Sequence, residues 1–142
     1  MKNHIVAGID GSPESEAAVD EATDLARATG ASLQIVYVVP SHPPAGPGAY
    51  TSECNRSDVT EQDYAPALLR QFELRCARKG VAVDSMTALG PVAETIADIA
   101  KASDASRVVV GHRSRGAFRR VLLGSVADRL VQISPAPVLV VR

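Results

Sequence analysis

At 142 residues the chain is one domain long by the usual ~100–200 residues per domain, and residues 1–142 are expected to form a single unit with a full core. Hydrophobic residues at 46% against 22% charged exclude a disordered chain, and a formal net charge of −1 excludes a strong global pull towards nucleic acid or an anionic membrane. With aromatics at 4% and no Trp, the core must be built from Val, Leu, Ile and Ala.

Residues 4–9 form a short apolar run that ends at Asp10-Gly11, a buried strand entering a turn. Ser12 suits a helix N-cap, Pro13 the first helical position, and Glu14 and Glu16 the positive end of the helix dipole. Ala18, Ala22, Leu25, Ala26 and Thr29 recur at helical spacing, and Gly30 ends that helix. Leu33 to Val39 is the second strand, stopped by Pro40. From Ser41 to Asn55, Pro43, Pro44, Gly46, Pro47 and Gly48 forbid regular structure. A loop this long is either a lid or partner site, or an insertion without a role. A second helix is expected from about Val59 to Lys79, with Pro66 in its first half and Leu68, Leu69, Phe72 and Cys76 as its buried stripe. Gly80 stops it, and Val81 to Leu89 is the third strand. Gly90-Pro91 turns the chain into a third helix, where Val92, Ile96, Ile99 and Ala100 share a face. Arg107 to Val110 is the fourth strand. After a loop over 111–123, Gly124-Ser125 opens a fourth helix with Val126, Leu130 and Ile133 inward. Pro135 and Pro137 bracket the turn into the last strand, Val138 to Val141.

Strands that read as unbroken aliphatic runs are buried on both faces. Alternating with helices, they predict an α/β, doubly wound parallel sheet covered on both sides. Such sheets bind ligands at the carboxyl ends of their strands, where the strand order reverses. The residues after strands one and four are therefore the candidates. Gly124-Ser125 stands at a helix N-terminus, where unpaired N–H groups and the dipole attract an anion. Gly124 has no side chain to block a phosphate, Ser125 adds a hydroxyl, and Gly111 allows a ligand close to the strand end. The alternative is that Ser125 simply caps the helix. Arg113, Arg115, Arg119 and Arg120 either raise the local positive potential or are solvated or paired with the acidic first helix, and Arg113 is the best placed for a ligand contact. Asp10 is equally a turn former and a ligand contact. Cys54 and Cys76 complete neither a disulfide framework nor a zinc site and read as free thiols of a cytoplasmic protein.

The start Ile5-Val-Ala-Gly-Ile-Asp-Gly-Ser12, the segment Val108-Val-Val-Gly-His-Arg-Ser-Arg-Gly-Ala-Phe-Arg-Arg-Val-Leu-Leu-Gly-Ser-Val-Ala127 and the end Pro135-Ala-Pro-Val-Leu-Val-Val141 together resemble the universal stress protein family across the whole chain. The resemblance implies a flavodoxin-like five-stranded sheet in the order 3-2-1-4-5 and a homodimer formed through Val138–Val141. It also implies ATP, with AMP or ADP as alternatives and Mg2+ carried by the phosphates. The family's ATP-binding members carry Gly, two residues, Gly, nine residues, then Gly with Ser or Thr. Gly111, Gly124 and Ser125 match, whereas Ser114 stands at the middle glycine. If that position needs positive φ, Ser costs on the order of 1 kcal/mol more than Gly. The resemblance further implies nucleotide contacts at Gly8, Ile9 and Asp10 ending strand one, at the Val38 main chain for the adenine, at Val110 and Arg113, and at the Val126 and Ala127 amides.

A nucleotide-binding regulatory or stress-response module is the reading these features favour. An ATP hydrolase is the enzymatic alternative, but the sequence has no Gly-x4-Gly-Lys-Ser/Thr loop. A dimeric member that has lost nucleotide binding is kept alive by Ser114, and a flavin-binding or phospho-receiver domain is a more distant reading. The regulatory partner stays unknown, with neither nucleic acid nor membrane expected.

Overall fold

The computed structural model describes residues 2–40, 61–112 and 123–142. The chain order is β1 (His4–Ile9), α1 (Pro13–Thr29), β2 (Ser32–Val39), α2 (Glu61–Arg78), β3 (Val83–Leu89), α3 (Val92–Ala102), β4 (Arg107–Gly111), α4 (Ser125–Ile133) and β5 (Val138–Val141). All strand pairs are parallel, in the order β3-β2-β1-β4-β5, as the resemblance implies.

Side chains alternate across the sheet because a strand has a period of two. Ile5, Ala7 and Ile9 of β1, with Leu33, Ile35 and Tyr37 of β2, pack against α1 and α2. Val6, Val36, Val38, Val108 and Val110 pack on the opposite face, against α3 and α4. Six of these, Ile5, Val6, Ala7, Ile35, Val36 and Val108, have no exposed surface, and full burial of a Val or Ile side chain stabilises by about 1.5–3 kcal/mol.

α1 turns Ala18, Val19, Ala22, Thr23 and Ala26 to the sheet. Thr29, expected on that face, is instead exposed, and its hydroxyl donates to the Leu25 carbonyl at 2.8 Å. Thr23 takes an inner position because its Oγ1 donates to the Val19 carbonyl at 2.6 Å and also meets Cys76 Sγ at 3.2 Å. Burial pushes the Cys76 thiol pKa up. α2 keeps Pro66 inside its first turns and buries Ala65, Leu69, Phe72 and Cys76. β3 begins at Val83, two residues after the expected start. Val81 instead donates its N–H to the Cys76 carbonyl at 3.2 Å and closes the end of α2.

The acidic face of α1 is paired from α2. Arg75 contacts Glu16 at 2.8 Å and Asp20 at 2.7 Å, and Lys79 contacts Asp24 at 2.9 Å. The Glu16 hydrogen bond raises the Arg75 pKa. The arginines expected as alternative partners for this face, from Arg113 to Arg120, lie outside the described residues, as do Cys54 and the segment from Ser41 to Asn55.

Candidate functional site at the carboxyl edge

β1 and β4 are neighbours, with Gly8 opposite Val110. The same register carries Ile9 towards Gly111 and Asp10 towards His112. On the other side of β1, Ile9 stands opposite Tyr37, so Val38 follows at the level of Asp10. The carboxyl edge thus gathers Asp10, Val38, Gly111 and His112 at the switch in strand order.

Asp10 forms a turn. Its Oδ1 accepts the Ser12 N–H at 2.9 Å, and Gly11 takes the positive φ of 83° that lets the chain reverse. Ser12 is the N-cap of α1: its Oγ accepts from the Ser15 N–H at 3.1 Å, while the Ser15 hydroxyl donates back to the Ser12 carbonyl at 2.9 Å. Pro13 takes the first helical position, and Glu14 and Glu16 lie in the first turn, as expected.

α4 begins differently. Gly124, and not Ser125, occupies the N-cap, with extended φ −66° and ψ 154°. The reading of Ser125 as the cap therefore fails. A glycine offers no side-chain oxygen, so the amides of Ser125, Val126 and Ala127, which have no partner within the helix, receive none from their N-cap. The Gly124 N–H donates to the His112 carbonyl at 2.6 Å, and the His112 N–H donates to the Val141 carbonyl at 2.7 Å. These two bonds seat the start of α4 against the ends of β4 and β5. Ala127 is buried and Val126 packs against the same core, so their side chains are structural.

α3 also starts at this edge. Its N-cap is Pro91, without a side-chain cap, and the Gly90 N–H donates to the Val39 carbonyl at 3.0 Å. Glu94 in the first turn of α3 pairs with Arg129 of α4 at 2.9 Å. The Arg129 hydrogen bond holds the Glu94 carboxyl below the usual carboxylate range.

Two of the expected site glycines have packing reasons of their own. A Cβ on Gly8 would lie 2.6 Å from Ile96 Cδ1, so its absence lets α3 close on β1. A Cβ on Gly111 would lie 2.8 Å from the Glu14 carbonyl carbon and 2.9 Å from its oxygen, so its absence lets the first turn of α1 rest on the end of β4. Ile9, Val38 and Val110 are buried strand residues. Arg113 and Ser114 lie outside the described residues.

The sequence reading did not single out Tyr64 or the Glu94–Arg129 pair. Tyr64 meets Tyr37 edge-on, with ring centroids 6.5 Å apart, and lies over Gly11. Among the described residues no group of three or more His, Cys, Asp or Glu is placed to hold a metal ion, and no helix is long and apolar enough to cross a membrane.

A parallel 3-2-1-4-5 sheet with helix starts and strand ends meeting at one edge is flavodoxin-like architecture. The family model described as the universal stress protein family matches residues 1–142, and the chain belongs to that family. Universal stress protein YxiE of Bacillus subtilis is 32% identical over the full length of both chains. The mycobacterial relatives are longer, and this chain spans about half their length, 47% in Mycobacterium tuberculosis. Among solved structures, universal stress protein UspA from Lactobacillus plantarum superposes with a TM-score of 0.84 at 26% identity, over 100% of this chain and 99% of that one. A universal stress protein in complex with cAMP superposes with a TM-score of 0.73 at 25% identity, over 98% of this chain and 96% of that one.

Proposed function

We propose that this chain is an adenine-nucleotide-binding regulatory protein of the stress response. The observation that carries the reading is the start of α4. Gly124 sits at its N-cap with no side-chain oxygen, and the Gly124 amide fixes that start to the end of β4. The amides of Ser125, Val126 and Ala127 open the helix where an anion is favoured both by N–H groups that have no partner within the helix and by the dipole. Asp10 and the main chain at Val38, the positions the family resemblance assigns to the ribose and the base, stand on the same carboxyl edge. The cAMP complex of a relative at 25% identity supports an adenine nucleotide as the ligand class. ATP, carrying Mg2+ through its phosphates, is the ligand that the Gly111, Gly124 and Ser125 pattern favours, with AMP and ADP as alternatives. In this reading the protein acts in the cytoplasm as a homodimer joined through Val138–Val141, an apolar strand at the edge of the sheet, and nucleotide occupancy alters its affinity for a regulatory partner.

A second reading has an observation in its favour. Gly8, Gly111 and Asp10 each have a structural role that needs no ligand. A dimeric member without nucleotide would keep all three. One experiment separates the two. Nucleotide released from the purified, denatured protein is identified by mass and absorbance, and ATP, ADP, AMP and cAMP are titrated into nucleotide-free protein. Binding of an adenine nucleotide at micromolar to low millimolar concentration, weakened by Gly124→Ala, supports the first reading. Gly124→Ala with unchanged affinity removes the α4 phosphate site, and no binding of any of the four leaves the scaffold.

A further inference from the structure

The nucleotide reading needs a wall at the base end of the crevice, and the described residues supply one candidate for it. Resting on that reading, we propose that Tyr64 is the wall, a specificity-determining residue against whose ring a purine base packs. Among the described residues Tyr37 and Phe72 are buried, whereas the Tyr64 ring, in the first turn of α2, is 37% exposed.

Its placement is constrained from two sides. A Cβ on Gly11 would lie 2.8 Å from the Tyr64 hydroxyl oxygen and 3.2 Å from Cε1, so the ring is seated directly on the Asp10-Gly11 turn. Tyr37 meets it edge-on at an interplanar angle of 75°, a favoured aromatic geometry that fixes the ring's tilt from beneath. Tyr37 is opposite Ile9, so the next residue on each strand, Val38 and Asp10, brings the ring beside the positions read as base and ribose contacts. A half-exposed ring held in one orientation has lost little freedom on receiving a flat ligand. Purine faces stack on such rings whatever their hydrogen-bonding edge, so the ring selects for a base and the main chain at Val38 for which base.

The test uses the full chain. With no Trp and three Tyr, tyrosine emission reports on these rings without a competing signal. Affinity for AMP and for cAMP is measured separately by calorimetry. The expected result is that AMP changes the emission of the wild type. Tyr64→Phe keeps the stacking face, binds within about twofold of the wild type, and loses the emission change. Tyr64→Leu keeps apolar bulk over Tyr37 but no π-face, and binds AMP about fivefold or more weakly. An emission change that survives in Tyr64→Phe overturns the proposal, as does unchanged AMP affinity in a Tyr64→Leu variant that melts cooperatively. In both outcomes the wild type still binds nucleotide, so the crevice reading stands while Tyr64 is released from it. A wild type that binds none of ATP, ADP, AMP and cAMP removes both.

Discussion

α1 and α4 start on the same edge, after the neighbouring strands β1 and β4, yet their first turns are built on opposite plans. The start of α1 is closed by its own oxygens: Asp10 accepts from Ser12, Ser12 accepts from Ser15, and two glutamates sit in the first turn. The start of α4 has a glycine cap and a single acid, Asp128, in its first turn. The contrast teaches where to look for a ligand. A helix end saturated by its own side chains is a structural joint, and one that a glycine leaves open is a place where an outside anion can complete the bonding.

The comparison is broken most severely at Gly111, where α1 rests on β4. Gly111→Ala places a methyl within 3 Å of the Glu14 backbone, which cannot swing away as a side chain could. We expect a loss on the order of 2–3 kcal/mol in urea unfolding. Gly8→Ala meets only the flexible end of Ile96 and is expected to cost about 1–2 kcal/mol, partly restored by adding Ile96→Val.

The two caps give effects of opposite sign. Ser12→Ala removes a used cap and is expected to cost about 1 kcal/mol in the same measurement. Gly124→Ser supplies a missing one at a backbone conformation that serine adopts freely, and is expected to add a few tenths of a kcal/mol of stability. If the α4 start receives an anion, that variant also weakens AMP binding, because its hydroxyl competes for the same amides. A Gly124→Ser protein that is less stable and binds AMP equally well would erase the distinction between the two helix starts.

The smallest effect is at the Glu94–Arg129 pair, which is exposed at both ends. The Glu94 carboxyl titrates below its ordinary range in the folded chain. Its small contribution is therefore present at neutral pH and is lost as pH falls through that depressed value. Arg129→Gln should raise the Glu94 titration, followed by NMR, towards the usual carboxylate range, and high salt should shrink the difference between the two proteins.

Much of this was legible in the residues. Aliphatic runs alternating with alanine-rich and amphipathic helices predict the parallel sheet, and Ser12-Pro13 marks the start of α1 to the residue because capping is local chemistry. Gly124-Ser125 marks the start of α4 but leaves the cap ambiguous, since both residue types serve there; only the backbone at Gly124 settles it. Long-range placement was not legible. The approach of Glu14 to Gly111 joins two elements almost a hundred residues apart, so nothing in the sequence shows that Gly111 also makes room for a helix. The pairing of the acidic α1 face with Arg75 and Lys79 depends in the same way on how α2 lies beside α1, and periodicity alone carries no such information. Tyr64 gave no signal, because a lone aromatic near the start of a helix is an ordinary core residue until its exposure is seen.

The 2.6 Å bond between the His112 carbonyl and the Gly124 amide has one further effect. It joins the end of β4 to the start of α4, and the His112 N–H bond to the Val141 carbonyl brings the end of β5 to the same node. A displacement of any one of these three ends is passed through His112 to the other two, so the edge strand and the helix start shift together.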